Sequence, residues 1–524
     1  MKQKSLFKGL VALTLSAAML LCVTGCDDNT TVYQPNDTDL SSLSVTEPSP
    51  FYFGTKDRDV NGLVEVHDPS TFKDPNSEYY YCYSTDSTMS GNPNRGVGIQ
   101  IRRSSNLTDW EYIGHALDDA SVAEARVLPD GSYNTGFWAP SIAYVNGEYR
   151  LYYSVSTFGA ATSRIYLAVS SSPEGPFTNR GLVVDTWKNT SGSGPNGIDP
   201  YYVEDKDGKP YLVYGSFFGG IYIKELKEDG TAVDNDTSGL LRAYYGTRLA
   251  IRETNALDGP EGASIIYNED TGYYYLFLSY GYLGDTYDIR VARSEEITGP
   301  YVDYQGNEMT ASGVVTTGTK LAASYQFTAS APGGGDQPDV LDSWSWNGFI
   351  GPGHGEPFYD DTTGTWYFAS HVRDGAETYK TVDNGQDTWY MHYLCIRELV
   401  WVDGWPTLSP EMVYPNEATG QTVSGSLLEG NWETLQFDSV QNDMVYSVHS
   451  KLGKYENGGG TATIGGEKGN YTYNESDGSL VISLDNGTTI NAKVLPCWDF
   501  ENWKVSMVFT GIDNNGITHW GKFC

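Results

Sequence analysis

The chain has 524 residues, is 14% aromatic (40 of its residues are tyrosine), carries 59 glycines and has a formal net charge of −34 at pH 7. That length holds more than one domain, and a Tyr- and Gly-rich composition favours β-structure with tight turns over helical bundles. So acidic a surface repels nucleic acid, anionic membrane faces and polyuronates, and leaves a neutral polymer open as a partner.

The N-terminus has a basic start (Lys2, Lys4, Lys8), then an apolar run from Leu10 to Val23. This is the secretory pattern, and the run is too short for a comfortable membrane span. It ends in Val23-Thr24-Gly25-Cys26, which resembles the lipobox of bacterial lipoproteins. The resemblance implies cleavage before Cys26, lipidation of that cysteine, and display at the cell surface or on a periplasmic membrane face. Residues 1–26 are therefore expected to be a lipoprotein signal peptide. Residues 27–50, rich in Asp, Asn, Thr, Ser and Pro, are expected to form a flexible tether.

Five later stretches are variants of one pattern: HDPSTFKDPNSEYYYCYS from His67, WAPSIAYVNGEYRLYYSVS from Trp138, IDPYYVEDKDGKPYLVYGS from Ile198, EGASIIYNEDTGYYYLFLS from Glu261 and GHGEPFYDDTTGTWYFAS from Gly353. Each opens on a short motif of small residues. A strand follows, then a Gly/Asn/Asp turn, then an aromatic strand ending near a serine. Further alternating strands begin at Val97, Arg164, Ile221 and Tyr287. Repetition of this kind predicts an all-β fold with a five-bladed β-propeller over residues 51–410. Asp74, Asp205, Asp207, Asp270, Asp360 and Asp361 fall in the blade turns and read as turn formers. Around Thr319–Asn347 the spacing lengthens, and APGGGDQPD has the composition of an inserted loop. It would either shape the substrate channel or sit as a tolerated surface insertion.

Residues 411–524 change character, with short alternating strands broken by NGGG, SDGS, DNG and DNNG. These predict a small C-terminal β-barrel or sandwich domain. Trp432, Trp498, Trp503 and Trp520 are expected mainly in its core rather than on a binding face. Cys497 and Cys524 could form a disulfide in an oxidising compartment, whereas Cys82 and Cys395 read as buried thiols.

In a propeller the first strand of each blade lines the central channel, so the five opening motifs converge on one axis. That would gather Asp68, Asp199 and Glu261 with Trp138 and His354. Glycosidic hydrolysis needs two carboxyl groups on opposite sides of the scissile bond, one protonated and one ionised. A third carboxylate nearby raises the pKa of the acid. Trp138 offers a face for stacking a sugar ring, with strand packing the equal alternative. His354 reads first as a core histidine.

The ordered set HDPS (67–70), FWAPS (137–141), YYSVST (152–157), NGID (196–199), VYGSF (213–217), ITGPYVD (297–303), GPGHGEP (351–357) and WVDGWP (401–406) resembles family 43 of the glycoside hydrolases, and within it the endo-acting α-1,5-L-arabinanases. The resemblance spans most of residues 60–410. It implies a five-bladed propeller that hydrolyses arabinan with inversion, with base and acid about 6.5–9.5 Å apart. By that likeness Asp68 is the general base, Glu261 the general acid, and Asp199 the residue that tunes and orients the acid. It also implies that Asn196 and Ser216 hydrogen-bond sugar hydroxyls, and that His354 helps hold a cation, calcium, largely through waters. The protein is expected as a monomer touching membrane only through its anchor. Two departures stand out: Glu261-Gly262-Ala263 where such enzymes often have Glu-Ala-Pro, and Ser141 where many carry Asp. An exo-acting arabinofuranosidase or β-xylosidase of the same family is the alternative, as is a non-catalytic glycan-binding propeller.

Overall fold

The computed structural model describes residues 36–49, 61–86, 97–128, 130–133, 136–187, 194–233, 245–252, 259–311, 317–328, 348–374, 392–415, 420–440 and 444–524. The signal segment, Cys26, residues 27–35 and the APGGGDQPD stretch lie outside them.

Five antiparallel sheets follow one another. Blade 1 comprises Ser70–Lys73, Tyr80–Ser84, Gln100–Ser104 and Glu111–His115; blade 2, Phe137–Val145, Glu148–Val155, Arg164–Ser170 and Thr178–Asp185. Blade 3 comprises Tyr201–Glu204, Pro210–Tyr214, Ile221–Glu225 and Thr247–Ala250; blade 4, Glu261–Asn268, Tyr273–Tyr280, Asp288–Ser294 and Thr319–Ala322. Blade 5 holds Phe349–Asp360, Thr365–Asp374, Tyr393–Val402 and Trp405–Leu408, widened by Tyr325–Gln326 and Val445–Tyr446. The stretch from Thr319 is thus not wholly an inserted loop, since it opens with the outer strand of blade 4.

Turn chemistry sets the registers. Asn146-Gly147 closes the first hairpin of blade 2 between Val145 and Glu148, with φ of 53° and 85°. Asp403-Gly404 does the same between Val402 and Trp405, with φ of 49° and 73°. Two consecutive left-handed residues are what a two-residue type I′ hairpin requires. Asp74, Asp205 and Asp360 accept backbone N–H bonds within their own turns, as expected of turn formers. The ring closes where Leu63 and Val66 meet His392 and Leu394 of blade 5 through backbone hydrogen bonds.

Aromatic and aliphatic side chains fill the space between neighbouring blades. Tyr83, Phe137, Tyr153 and Phe177 pack between blades 1 and 2, and Tyr152, Tyr202 and Tyr214 between blades 2 and 3. The short helix Asp119–Ala125, capped by Asp118, lies between blades 1 and 2 in sequence and had no periodic signal to announce it.

The C-terminal domain is a closed eight-stranded barrel: Gly430–Phe437, Val448–Leu452, Gly459–Ile464, Glu467–Asn474, Ser479–Leu484, Thr489–Asp499, Lys504–Asp513 and Thr518–Phe523. Trp432, Trp498 and Trp520 are buried in cores, as expected, and Trp503 donates its indole N–H to Glu47. Trp520 and Trp498 belong to one cluster with Tyr325, Phe349 and Phe368, so the barrel shares a core with blade 5. Lys522, 1% exposed, pairs with Glu411, Asp499 and Glu501 at 2.7–3.3 Å beside the Phe327 ring.

Two expectations change. Residues 36–49 are not a free tether, because Leu43 is buried in the barrel core and Leu40 and Val45 pack against it. Asn36 also exchanges hydrogen bonds with Asn431, and its backbone N–H donates to the Cys524 carbonyl at 2.9 Å. Three apolar residues spaced through a polar stretch were enough to dock it. No disulfide joins Cys497 and Cys524, and Cys82 and Cys395 are buried thiols, as expected. Cys497 sits inside a strand paired with Ser506, and Cys524 ends the chain beyond the neighbouring strand.

Candidate active site

Each blade enters its inner strand through a residue with left-handed backbone: Asp68 (φ 53°), Ala139 (φ 45°), Asp199 (φ 56°), Gly262 (φ 58°) and His354 (φ 41°). Such a conformation costs a non-glycine residue about 1–3 kcal/mol, and strain of this kind gathers at functional sites. Repeated once per blade, it turns each opening motif toward the channel. Gly262 has a second reason to be glycine: a Cβ there would lie 3.0 Å from Cα and Cγ of His354.

Asp68 is buried and held from several sides. Its Oδ1 lies 2.9 Å from His67 Nδ1 and 3.0 Å from His354 Nδ1. Its Oδ2 accepts the Thr85 hydroxyl at 2.5 Å, and its backbone N–H donates to His371 Nδ1 at 3.2 Å. Burial works to raise the carboxyl, but the imidazoles of His354 and His67 overcome it and hold Asp68 well below the usual carboxylate range. Asp68 is therefore ionised.

Glu261 has the opposite balance. Burial pushes it up, against the hydroxyls of Ser216 on Oε2 and Tyr287 on Oε1, both at 2.7 Å. Asp199, which accepts the Gly262 N–H at 3.2 Å, is pushed up to about 8 by burial, with Glu261 and Asp68 adding to the rise and His354 opposing it. One carboxyl is driven toward its ionised form and two toward their protonated forms, the separation that acid–base work requires.

His354 is lifted to about 10: burial disfavours its charge, but Asp68, Asp199 and Glu261 together outweigh that. Glu356, two residues on, is pushed up to about 8 by burial and accepts the Thr71 N–H at 2.6 Å, tying blade 5 to blade 1.

Trp138 is half-buried, with the 58%-exposed Phe158 edge-on to it at 6.4 Å. Ser216 directs its hydroxyl to Glu261. Asn196 is buried and donates to the Ala160 carbonyl at 3.2 Å, while its Oδ1 has no hydrogen-bond partner among the described residues. Sequence reasoning missed Thr85, Tyr287, His371 and His392. Only His67 lay inside a quoted motif. Tyr287 was read only as the start of an alternating strand, Thr85 and His392 flank strands, and His371 lies within Thr365–Asp374; their partners come from another strand or another blade, so no local pattern marks their roles.

His67, His371 and His392 bring ligand nitrogens within 4.8 Å of one another. Their ring centroids, however, are only 4.2–4.5 Å apart. Three imidazoles radiating from one ion at about 2.0–2.1 Å would hold centroids about 5 Å apart. His371 Nδ1 also accepts the Asp68 N–H, which puts the ring's own proton on Nε2. The three rings are a packed cluster of tilted and edge-on imidazoles against the base, not a ligand set.

The profile of glycosyl hydrolases family 43 matches residues 63–406, and that of a C-terminal lipocalin-like domain matches residues 411–521. The chain belongs to glycosyl hydrolase family 43. It is 30% identical over 488 residues to an extracellular endo-α-(1→5)-L-arabinanase of Thermotoga petrophila, covering 87% of this chain and 93% of that protein. It is 28% identical to extracellular endo-α-(1→5)-L-arabinanase 2 of Bacillus subtilis, covering 88% and 93%. The crystal structure of the endo-1,5-α-L-arabinanase from T. petrophila superposes with a TM-score of 0.70 at 26% identity, covering 88% of this chain and 99% of that one. As a family 43 hydrolase the protein breaks glycosidic bonds, and its three axial carboxylates come from blades 1, 3 and 4.

Proposed function

We propose that this family 43 hydrolase is an inverting, endo-acting arabinanase that cuts α-1,5-L-arabinofuranosidic bonds in arabinan. The observation that carries the reading is the opposed setting of two buried carboxyls, Asp68 held between two imidazoles and Glu261 between two hydroxyls. Its relatives over nearly the whole chain are extracellular arabinanases.

In this mechanism Glu261 gives its proton to the leaving oxygen while Asp68 takes a proton from the attacking water on the other side of the ring. Asp199 accepts the Gly262 N–H beside the acid, which orients that acid, and the repulsion between the two carboxyls opposes their ionising together, which favours a protonated Glu261. The Ser216 and Tyr287 hydroxyls receive the carboxylate that Glu261 becomes. Trp138 and Phe158 offer sugar-stacking faces at the channel mouth.

Calcium belongs to the same reading. His354 turns Nδ1 to Asp68 at 3.0 Å, so in its neutral form it would offer Nε2 to a cation. That cation would take over the positive charge that the protonated ring otherwise places among the three carboxylates, and the acids would reach it through its waters. When bound, it would supply positive charge that lowers the cost of crowding those carboxylates. We further propose that Cys26 is lipidated after export and that the enzyme works as a monomer.

A timed product profile on linear α-1,5-arabinan, with Glu261→Gln alongside, tests the proposal. Mixed oligosaccharides early, abolished in the variant, are expected. Arabinose alone from the start would mean an exo-enzyme, and binding without cleavage a glycan-binding propeller.

A further inference from the structure

We propose that Thr85 is the positioning residue of the base, fixing Asp68 so that Oδ2 is the atom that takes the proton from water. The inference rests on Asp68 being the base.

A carboxylate offers about four acceptor positions, two on each oxygen. Oδ1 has both of its positions faced by imidazole nitrogens, His67 Nδ1 at 2.9 Å and His354 Nδ1 at 3.0 Å. Oδ2 has one partner among the described residues, the Thr85 hydroxyl at 2.5 Å. One position on Oδ2 is thus left for an incoming proton.

The direction of the Thr85 bond is settled by its other partner. Ala139 donates its backbone N–H to Thr85 Oγ1 at 2.7 Å. A hydroxyl has a single hydrogen, and an N–H can only donate, so the hydroxyl hydrogen must go to Asp68. Thr85 is buried, and its own N–H is held by the His67 carbonyl at 2.8 Å. Its rotor is therefore locked at both ends. The relay also joins two blades, because Ala139 follows Trp138 directly and has left-handed backbone. The residue that would stack sugar and the carboxylate that would activate water are referenced to one hydroxyl.

The test is a series at one position. Thr85→Val and Thr85→Ala remove the hydroxyl without and with loss of volume, and Thr85→Ser keeps it. On a linear α-1,5-arabino-oligosaccharide the Val and Ala variants should lose about 10- to 100-fold in kcat with KM within about twofold, the scale of a misaimed catalytic group. Ser should return to within about threefold of wild type. Activity that follows size rather than the hydroxyl, with Val high or Ser as low as Ala, would overturn the proposal. So would a rise in KM at unchanged kcat, which would put the effect on the Trp138 side. Asp68→Asn separates the two levels of the argument. If it retains activity, the base assignment falls. If it is inactive while Thr85→Val keeps wild-type kcat, only the role of Thr85 falls.

Discussion

Tyr287→Phe isolates one hydrogen bond at the acid. The phenol donates to Glu261 Oε1 at 2.7 Å in a fully buried site, and its ring stacks on His371 at 5.7 Å with an interplanar angle of 16°. Phenylalanine keeps the ring and removes only the hydroxyl. During proton transfer Glu261 becomes a carboxylate, so the lost bond is a charge-assisted one made most strongly in the transition state. Such bonds contribute about 1.5–3 kcal/mol, or roughly 10- to 150-fold in kcat. Because the bond also favours the ionised acid in the free enzyme, its loss raises the Glu261 pKa further. The basic limb of the rate profile, where the acid loses its proton, therefore moves to higher pH. The assay is kcat against pH on linear arabinan, paired with an aryl arabino-oligoside whose leaving group needs little protonation. The loss should shrink on the aryl substrate. A kcat within twofold of wild type on arabinan, or an equal loss on both substrates, would rule out a role for the Tyr287 hydroxyl at the acid.

Other outcomes are equally direct. Lys522→Met strips the counter-charge from buried Glu411, Asp499 and Glu501 and should destabilise the protein by about 3–5 kcal/mol in guanidinium unfolding. Trp138→Ala should raise KM on arabinan about tenfold, read from initial rates, with kcat changed less. Chelation with EDTA should lower both activity and Tm, and added calcium should restore both. His354 carries a folded-state pKa of about 10 against an ordinary 6.5. Its contribution to stability is whole below pH 6.5 and is lost as pH rises toward 10, so unfolding free energy should fall across that window and fall less in His354→Ala.

The five opening motifs were readable because a blade is built from local signals: a small-residue entry, a period-two strand, and turns such as Asn146-Gly147. The carboxylates were readable because they occupy the same place in the repeat. Tyr287 was visible only as the residue before an alternating strand, and Thr85 only as a threonine after another. Their partners lie 26 and 17 residues away, across strands and loops, and pairing at that range leaves no periodic trace. The docking of residues 36–49 was hidden for another reason. Composition averages a segment, whereas burial of Leu43 depends on a groove in a domain nearly 400 residues further on. Gly262, by contrast, looked like a departure from its relatives, and the approach of His354 accounts for it.

The clasp between Asn36 and the last barrel strands has a mechanical meaning. Any load arriving along the chain ahead of Asn36 meets Asn431 and Cys524 first, so it is borne by a closed barrel in which every strand is paired on both sides. Drag from a long polymer gripped in the propeller would then pass through the barrel to whatever holds the N-terminus. The load therefore leaves the propeller through the barrel, and no pull on the N-terminus is applied directly to a blade that carries Asp68, Asp199 or Glu261.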